Sequence, residues 1–113
     1  MKLNNYQNSV CDNINYSFND INIFINALTH SSYNGSNVSD NQRLEFLGDR
    51  VLALIISEEL LKSDRDATEG QLAPRLNVLV RKQTCAQIAM KIGLGEALIM
   101  GRSEALSGGR RKS

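Results

Sequence analysis

An all-α fold is what this sequence predicts, and three observations carry that reading. Apolar residues recur at every third or fourth position through four separate stretches, the period of a helix with one covered face. No stretch convincingly shows the two-residue alternation of a strand. Ser, Thr, Asp or Asn stands where three of the four stretches begin, and glycine follows the last. With 113 residues, the chain supports one domain with one core, near the lower end of what buries a core comfortably.

Taken in order, the opening is the least regular part. Eleven of the first 41 residues are asparagine, a weak helix former and a good turn residue, so residues 1–15 are expected to be loosely ordered. A helical period then runs through Ile21, Ile23, Phe24, Ala27 and Leu28, capped by Asn19 or Asp20 and ending near His30. Residues 31–39 are rich in Ser, Asn and Gly and read as a loop. Ser39 with Gln42 fits a capping box, Asp40 is a second cap candidate, and the strongest helix spans about residues 41–62. Residues 63–68 form a charged turn. Thr68 and Glu69 open a third helix reaching Val80, with Gly70 and Pro74 placed to distort its first two turns. A fourth helical pattern runs through Ala86, Ile88, Ala89 and Ile92 until Gly93 and Gly95 stop it. From Glu104 onward the chain is rich in Gly, Ser and Arg.

Composition excludes several classes. Thirteen Lys and Arg against twelve Asp and Glu rule out a polybasic tail protein, an acidic disordered chain and a collagen-like chain. Cys11 and Cys85 lack the paired spacing of a zinc site or disulfide framework, which favours a reducing compartment. No signal peptide is readable at the polar start, and the longest apolar run, residues 51–56, is far short of a membrane span. The expectation is a soluble, cytoplasmic protein with no membrane partner. Its charge is uneven: residues 1–41 carry −2, residues 42–74 carry −3 and residues 75–113 carry +6. An acidic middle beside a basic final third can bind a metal and a polyanion together; ordinary solvated helix faces give the same pattern.

On a wheel of the central helix, Leu44, Leu47, Gly48, Val51, Leu54 and Ile55 form one apolar stripe. Gln42, Glu45 and Asp49 fall together on nearly the opposite side, and Leu52, Ala53, Ile56 and Leu60 continue that side as apolar residues. The helix is therefore expected to be buried nearly all round. Two carboxylates one turn apart at the mouth of a buried helix invite proton uptake, a basic partner such as Arg43 or Arg50, or a divalent cation. Magnesium suits such a pair, since it takes one or two carboxylates and completes its shell with water and phosphate oxygens. A plain surface i,i+4 acidic pair is the alternative. Phe46 lies off the stripe between Arg43 and Arg50, and needs a pocket in this chain or in another copy.

The segment Asn41-Gln42-Arg43-Leu44-Glu45-Phe46-Leu47-Gly48-Asp49-Arg50-Val51-Leu52 closely resembles the signature helix of the ribonuclease III family. Further segments resemble it in the same order: Tyr16-Ser17-Phe18, Ala27-Leu28-Thr29-His30-Ser31-Ser32, Thr68-Glu69-Gly70-Gln71-Leu72, Leu94-Gly95 and Ser107-Gly108-Gly109. The resemblance covers about residues 15–113. It implies a partial ribonuclease III endonuclease domain over residues 16–113, following the loose segment 1–15. The implied activity is hydrolysis of phosphodiesters in double-stranded RNA, leaving a 5′-phosphate and a 3′-hydroxyl, in the processing of ribosomal and messenger RNA precursors. Glu45 and Asp49 would be the catalytic metal ligands for magnesium, or manganese, with no organic cofactor. The family acts as a homodimer, in which Phe46 would dock into the partner.

This sequence departs from the family pattern at some positions. Gln42 stands where the family usually has glutamate; its amide cannot carry charge but can hydrogen-bond a metal-bound water or hold Arg43. Arg50 replaces a small residue, and could pair with an acid, contact RNA or simply be solvated. Glu69 matches an acid near the family's RNA-facing site, or is only a favourable charge at a helix start. His30 is expected to be a structural hydrogen-bonding residue, since no second ligand stands at metal spacing. Arg75, Arg81, Lys82, Arg110, Arg111 and Lys112 are candidate phosphate contacts, each with solvation as the alternative. The family completes its metal site with an Asp and a Glu beyond the Ser-Gly-Gly segment, and no such pair follows Gly109 here. The chain is thus expected to be a fragment, lacking the C-terminal helices of the domain and inactive alone. The competing reading is a non-catalytic, ribonuclease-III-like dimeric module that binds RNA or a ribosomal particle.

Overall fold

A computed structural model describes residues 2–30, 33 and 38–100, with backbone alone for residues 38–40. Among the described residues six helices follow one another: α1 (Asn5–Ile14), α2 (Ile21–Leu28), α3 (Val38–Ser63), α4 (Glu69–Val80), α5 (Lys82–Lys91) and α6 (Leu94–Ala97). Among the described residues the only β pairing is an isolated parallel bridge between Thr29 and Ile99, so the all-α expectation holds. No described helix is long and apolar enough to cross a membrane. The chain divides into two units, Met1–Asn41 with Ala86–Ser113, and Gln42–Cys85.

The first unit holds the core, and it corrects the reading of the N-terminus. Residues 1–15, expected to be loosely ordered, contain the ten-residue helix α1. Its asparagines work at the two ends. The Asn4 side chain accepts from the Gln7 N–H at 2.8 Å while the Gln7 side chain accepts from the Asn4 N–H at 3.0 Å, a reciprocal capping box. At the other end Asn15 adopts the left-handed region at φ 56°, and the Tyr16 N–H donates to the Cys11 carbonyl at 3.0 Å. Between these caps Val10 is fully buried, and α1 packs against α6. Tertiary burial overrides weak propensity here.

Val10, Phe24, Leu28 and Ala97 form the core cluster, flanked by Leu3, Cys11, Phe18, Leu94 and Leu98. Asp20 caps α2 by accepting from the Asn22 N–H at 3.0 Å, as one of the two expected caps. The Phe18 ring stacks on Phe24 at 4.2 Å, and Tyr16 meets Phe18 edge-on at 4.7 Å. After α2 the chain turns extended: the Ile99 N–H donates to the Leu28 carbonyl (2.9 Å) and the His30 N–H to the Ile99 carbonyl (2.7 Å). Gly93 ends α5 with φ +78°, a value that favours glycine. Gly95 does not act as a stop; it lies inside the single turn of α6. Asn13 reaches across from α1 and donates to the Ile92 carbonyl at 2.9 Å.

In the second unit, α3 is the long element. It already includes residues 38–40, so the helix starts ahead of the expected Asn41. The side chains of Ser39 and Asp40, the expected caps, lie outside the described residues, as does most of the loop at 31–37. The charged turn after α3 is tied together by Asp64, which accepts from the Asp66 N–H (3.3 Å) and from Arg75 Nη1 (3.0 Å). Thr68 then caps α4 in a second capping box: its hydroxyl accepts from the Gln71 N–H (3.3 Å), and the Gln71 side chain accepts from the Thr68 N–H (2.9 Å). Helix α4 runs unbroken through Pro74, which removes the one backbone N–H that would have bonded to the Gly70 carbonyl. Arg81 is extended, and the Thr84 hydroxyl donates back to the Val78 carbonyl at 2.6 Å as α5 begins.

Candidate active site on the central helix

The helical register of α3 puts Gln42, Glu45 and Asp49 on one face, at i, i+3 and i+7. The carboxylates of Glu45 and Asp49 are one turn apart, where Cβ atoms stand about 5–6 Å from each other. All three side chains are exposed. This corrects the expectation that α3 is buried nearly all round. In the single chain its apolar stripe is open as well, with Leu44, Leu47, Val51, Leu54 and Ile55 exposed, Leu54 at 70%. The wheel identified the apolar positions but could not show what covers them.

Exposure changes the electrostatics of the pair. Two like charges about 6 Å apart in bulk water repel by only about 0.7 kcal/mol, against several kcal/mol for each ion buried without a partner. Among the described residues no ion pair involves Glu45 or Asp49. Of the two suggested basic partners, Arg50 is committed elsewhere. Arg50 lays its guanidinium over the Phe46 ring, 3.9 Å from the centroid, and its Nη1 donates to the Phe46 carbonyl at 3.4 Å. The pair therefore presents unneutralised oxygen donors to solvent. That chemistry suits a hydrated divalent cation, held by two carboxylates and completed by other oxygens. No group of three or more His, Cys, Asp or Glu stands ready to hold a metal among the described residues, so these two would grip it weakly by themselves.

The other expected site residues are dispersed. Glu69 is the first residue of α4 and is exposed, where its charge favours the helix N-terminus. Arg75 is bound to Asp64 in an ion pair at 3.0 Å, and this hydrogen bond holds the Asp64 carboxyl below its usual range. Arg81 caps the C-terminal end of α4, Lys82 opens α5, and both are exposed with no ion pair among the described residues. No hydrogen bond or ion pair among the described residues joins any of these four to Glu45 or Asp49. Arg110, Arg111 and Lys112 lie outside the described residues. His30 follows α2 in the first unit, half-buried, with its backbone N–H on Ile99. Two features were missed. The Asp64–Arg75 pair spans a turn and carries no periodic signal. The Arg50–Phe46 stack has the i,i+4 spacing that could have revealed it.

Phe46 is 62% exposed and carries Arg50 on one face of its ring. It is a large aromatic with no pocket of its own in the described chain.

The chain is similar to proteins of one family. A family model described as Ribonuclease-III-like matches residues 20–113. Ribonuclease 3 of Dinoroseobacter shibae is 56% identical over 112 residues, covering 99% of this chain and 49% of that protein. Ribonuclease 3 of Ruegeria pomeroyi is 54% identical, covering 99% and 50%. The chain spans about half the length of the curated relatives it matches. A solved nuclease domain of ribonuclease III from Campylobacter jejuni superposes with a TM-score of 0.82 at 36% identity, covering 91% of this chain and 71% of that one; it is described as flexible in a region involved in dimer formation. With a matching family model over most of its length and a fold shared with a solved nuclease domain, the chain belongs to the ribonuclease III family and represents its nuclease-domain region.

Proposed function

We propose that this chain forms the catalytic segment of a magnesium-dependent endonuclease that cuts double-stranded RNA. The observation that carries the reading is the Glu45–Asp49 face of α3, exposed and without an ion pair among the described residues, within the segment that most resembles the family signature. Glu45 and Asp49 would hold magnesium, or manganese in its place, and Gln42 would orient water at the edge of the site through its amide. When bound, the metal supplies a nucleophile from water near neutral pH and stabilises the leaving oxygen. The side chains fix the direction of attack by their placement on a rigid helix, one turn apart.

The duplex would be read by shape, since an A-form helix hides its base edges in a deep, narrow major groove. Arg81 and Lys82, with Arg110, Arg111 and Lys112, supply the phosphate contacts; Arg75 is partly committed to Asp64. Self-association through α3 would cover its apolar stripe, dock Phe46, which lies off that stripe, into a second copy, and supply two acidic faces for the two strands. The setting is cytoplasmic, with ribosomal and messenger RNA precursors as substrates.

The test is cleavage of a long duplex RNA, with and without magnesium, by a polypeptide of the relatives' length that carries this segment. Magnesium-dependent cutting that Asp49→Asn reduces by at least a hundredfold is expected, on the order of a lost charge stabiliser. Cutting that persists in the Asp49→Asn, Glu45→Gln double variant would refute the assignment of the site. Binding of duplex RNA with no cutting under any metal would leave a non-catalytic binding module instead.

A further inference from the structure

We infer that Arg50 is a positioning residue for Phe46: its guanidinium, laid across the ring, sets the orientation in which Phe46 docks into a second copy of this chain. The inference rests on the self-association reading above and deepens it. Three observations support it. The Arg50 guanidinium carbon stands 3.9 Å from the Phe46 ring centroid, within stacking range. The same group donates to the Phe46 backbone carbonyl at 3.4 Å, so one side chain grips both the ring and the helix that carries it. No ion pair involves Arg50 among the described residues, although Asp49 is its neighbour in sequence.

An exposed phenylalanine samples several rotamers, and docking it into a pocket requires choosing one. A guanidinium that is held on one face restricts that choice before the partner arrives. Arg50 suits the task because its planar, weakly hydrated group can stay stacked as water leaves the ring. A lysine ammonium is a compact and strongly hydrated point charge. Arg50 therefore acts through Phe46, and touches neither substrate nor metal.

The experiment is sedimentation equilibrium of the chain over a wide concentration range, with thermal unfolding followed in parallel. Arg50→Ala should weaken self-association by about two- to thirtyfold, the span between exposed and desolvated cation–π contacts. Arg50→Lys should recover only part of the loss. Because both side chains are exposed, the unfolding midpoint of the dilute chain should move only slightly. Phe46→Leu keeps an apolar side chain but removes the ring, so it should weaken association and make a further Arg50→Ala change silent. Arg50→Ala associating as tightly as the parent, while Phe46→Leu weakens it, would overturn the positioning role and leave the self-association reading standing. The same would follow if Arg50→Ala weakened association equally in the Phe46→Leu background. A chain that stays monomeric, or one indifferent to Phe46→Leu, would overturn both.

Discussion

Gly48 offers a substitution whose sign should reverse between the single chain and its assembly. It lies inside α3, and a Cβ built there would meet nothing within 4 Å beyond its chain neighbours and its own helix backbone. Glycine in a helix interior costs about 1 kcal/mol relative to alanine, because it surrenders more backbone entropy on folding. With no steric term to offset that gain, Gly48→Ala should stabilise the dilute chain by about 1 kcal/mol, roughly a fivefold rise in the folding constant. Urea unfolding followed by helical circular dichroism reads this directly. Gly48 also sits on the apolar stripe with Leu44, Leu47 and Val51. If a second copy packs on that stripe, the new methyl group overpacks the contact at about 1–3 kcal/mol, and self-association weakens by about 5- to 150-fold. A lower urea midpoint for the dilute variant would refute the open surroundings assigned to Gly48. Unchanged or tighter association would refute packing of a second copy over this part of α3.

Other expectations follow from local geometry. Thr68→Ala removes half of the α4 capping box and should cost about 1 kcal/mol in urea unfolding; a neutral result would mean that Gln71 caps without it. Leu28→Ala opens the core beside Val10, Phe24 and Ala97 and should cost about 2–5 kcal/mol, measured in the same way. The Arg75 hydrogen bond holds Asp64 below the usual 3.8. Its contribution to stability is therefore complete above pH 3.8 and is lost as the pH falls through the lower folded-state value. Parent and Asp64→Asn unfolding midpoints, measured from pH 6 down to 2, should converge toward the acid end; a constant gap would contradict the ion pair.

Legibility from sequence followed the range of the forces involved. The start of α4 was readable because Thr68 and Gln71 satisfy each other's backbone within four residues. The Asp20 cap on α2 was readable for the same reason. Helix α1 was not, because its asparagines count against a helix in composition while Asn4 and Asn15 serve as its ends, and because burial of Val10 depends on distant partners. At the site, the i, i+3, i+7 spacing of Gln42, Glu45 and Asp49 was plain. Their exposure was not, since a wheel orders residues around an axis without knowing what lies against each face. The partner of Arg75 was hidden for a related reason: a basic residue looks wholly available until Asp64, eleven residues earlier, is seen to bind it.

The central claim is that Glu45 and Asp49 together form a divalent-metal site, and manganese makes it directly measurable. Paramagnetic broadening of backbone amide signals during a manganese titration reports which residues lie near the bound ion. Broadening centred on residues 45–49, and abolished in the Glu45→Gln, Asp49→Asn double variant, is predicted. Broadening centred instead on the acidic turn at Asp64 and Asp66, or unaltered by the double variant, would contradict it.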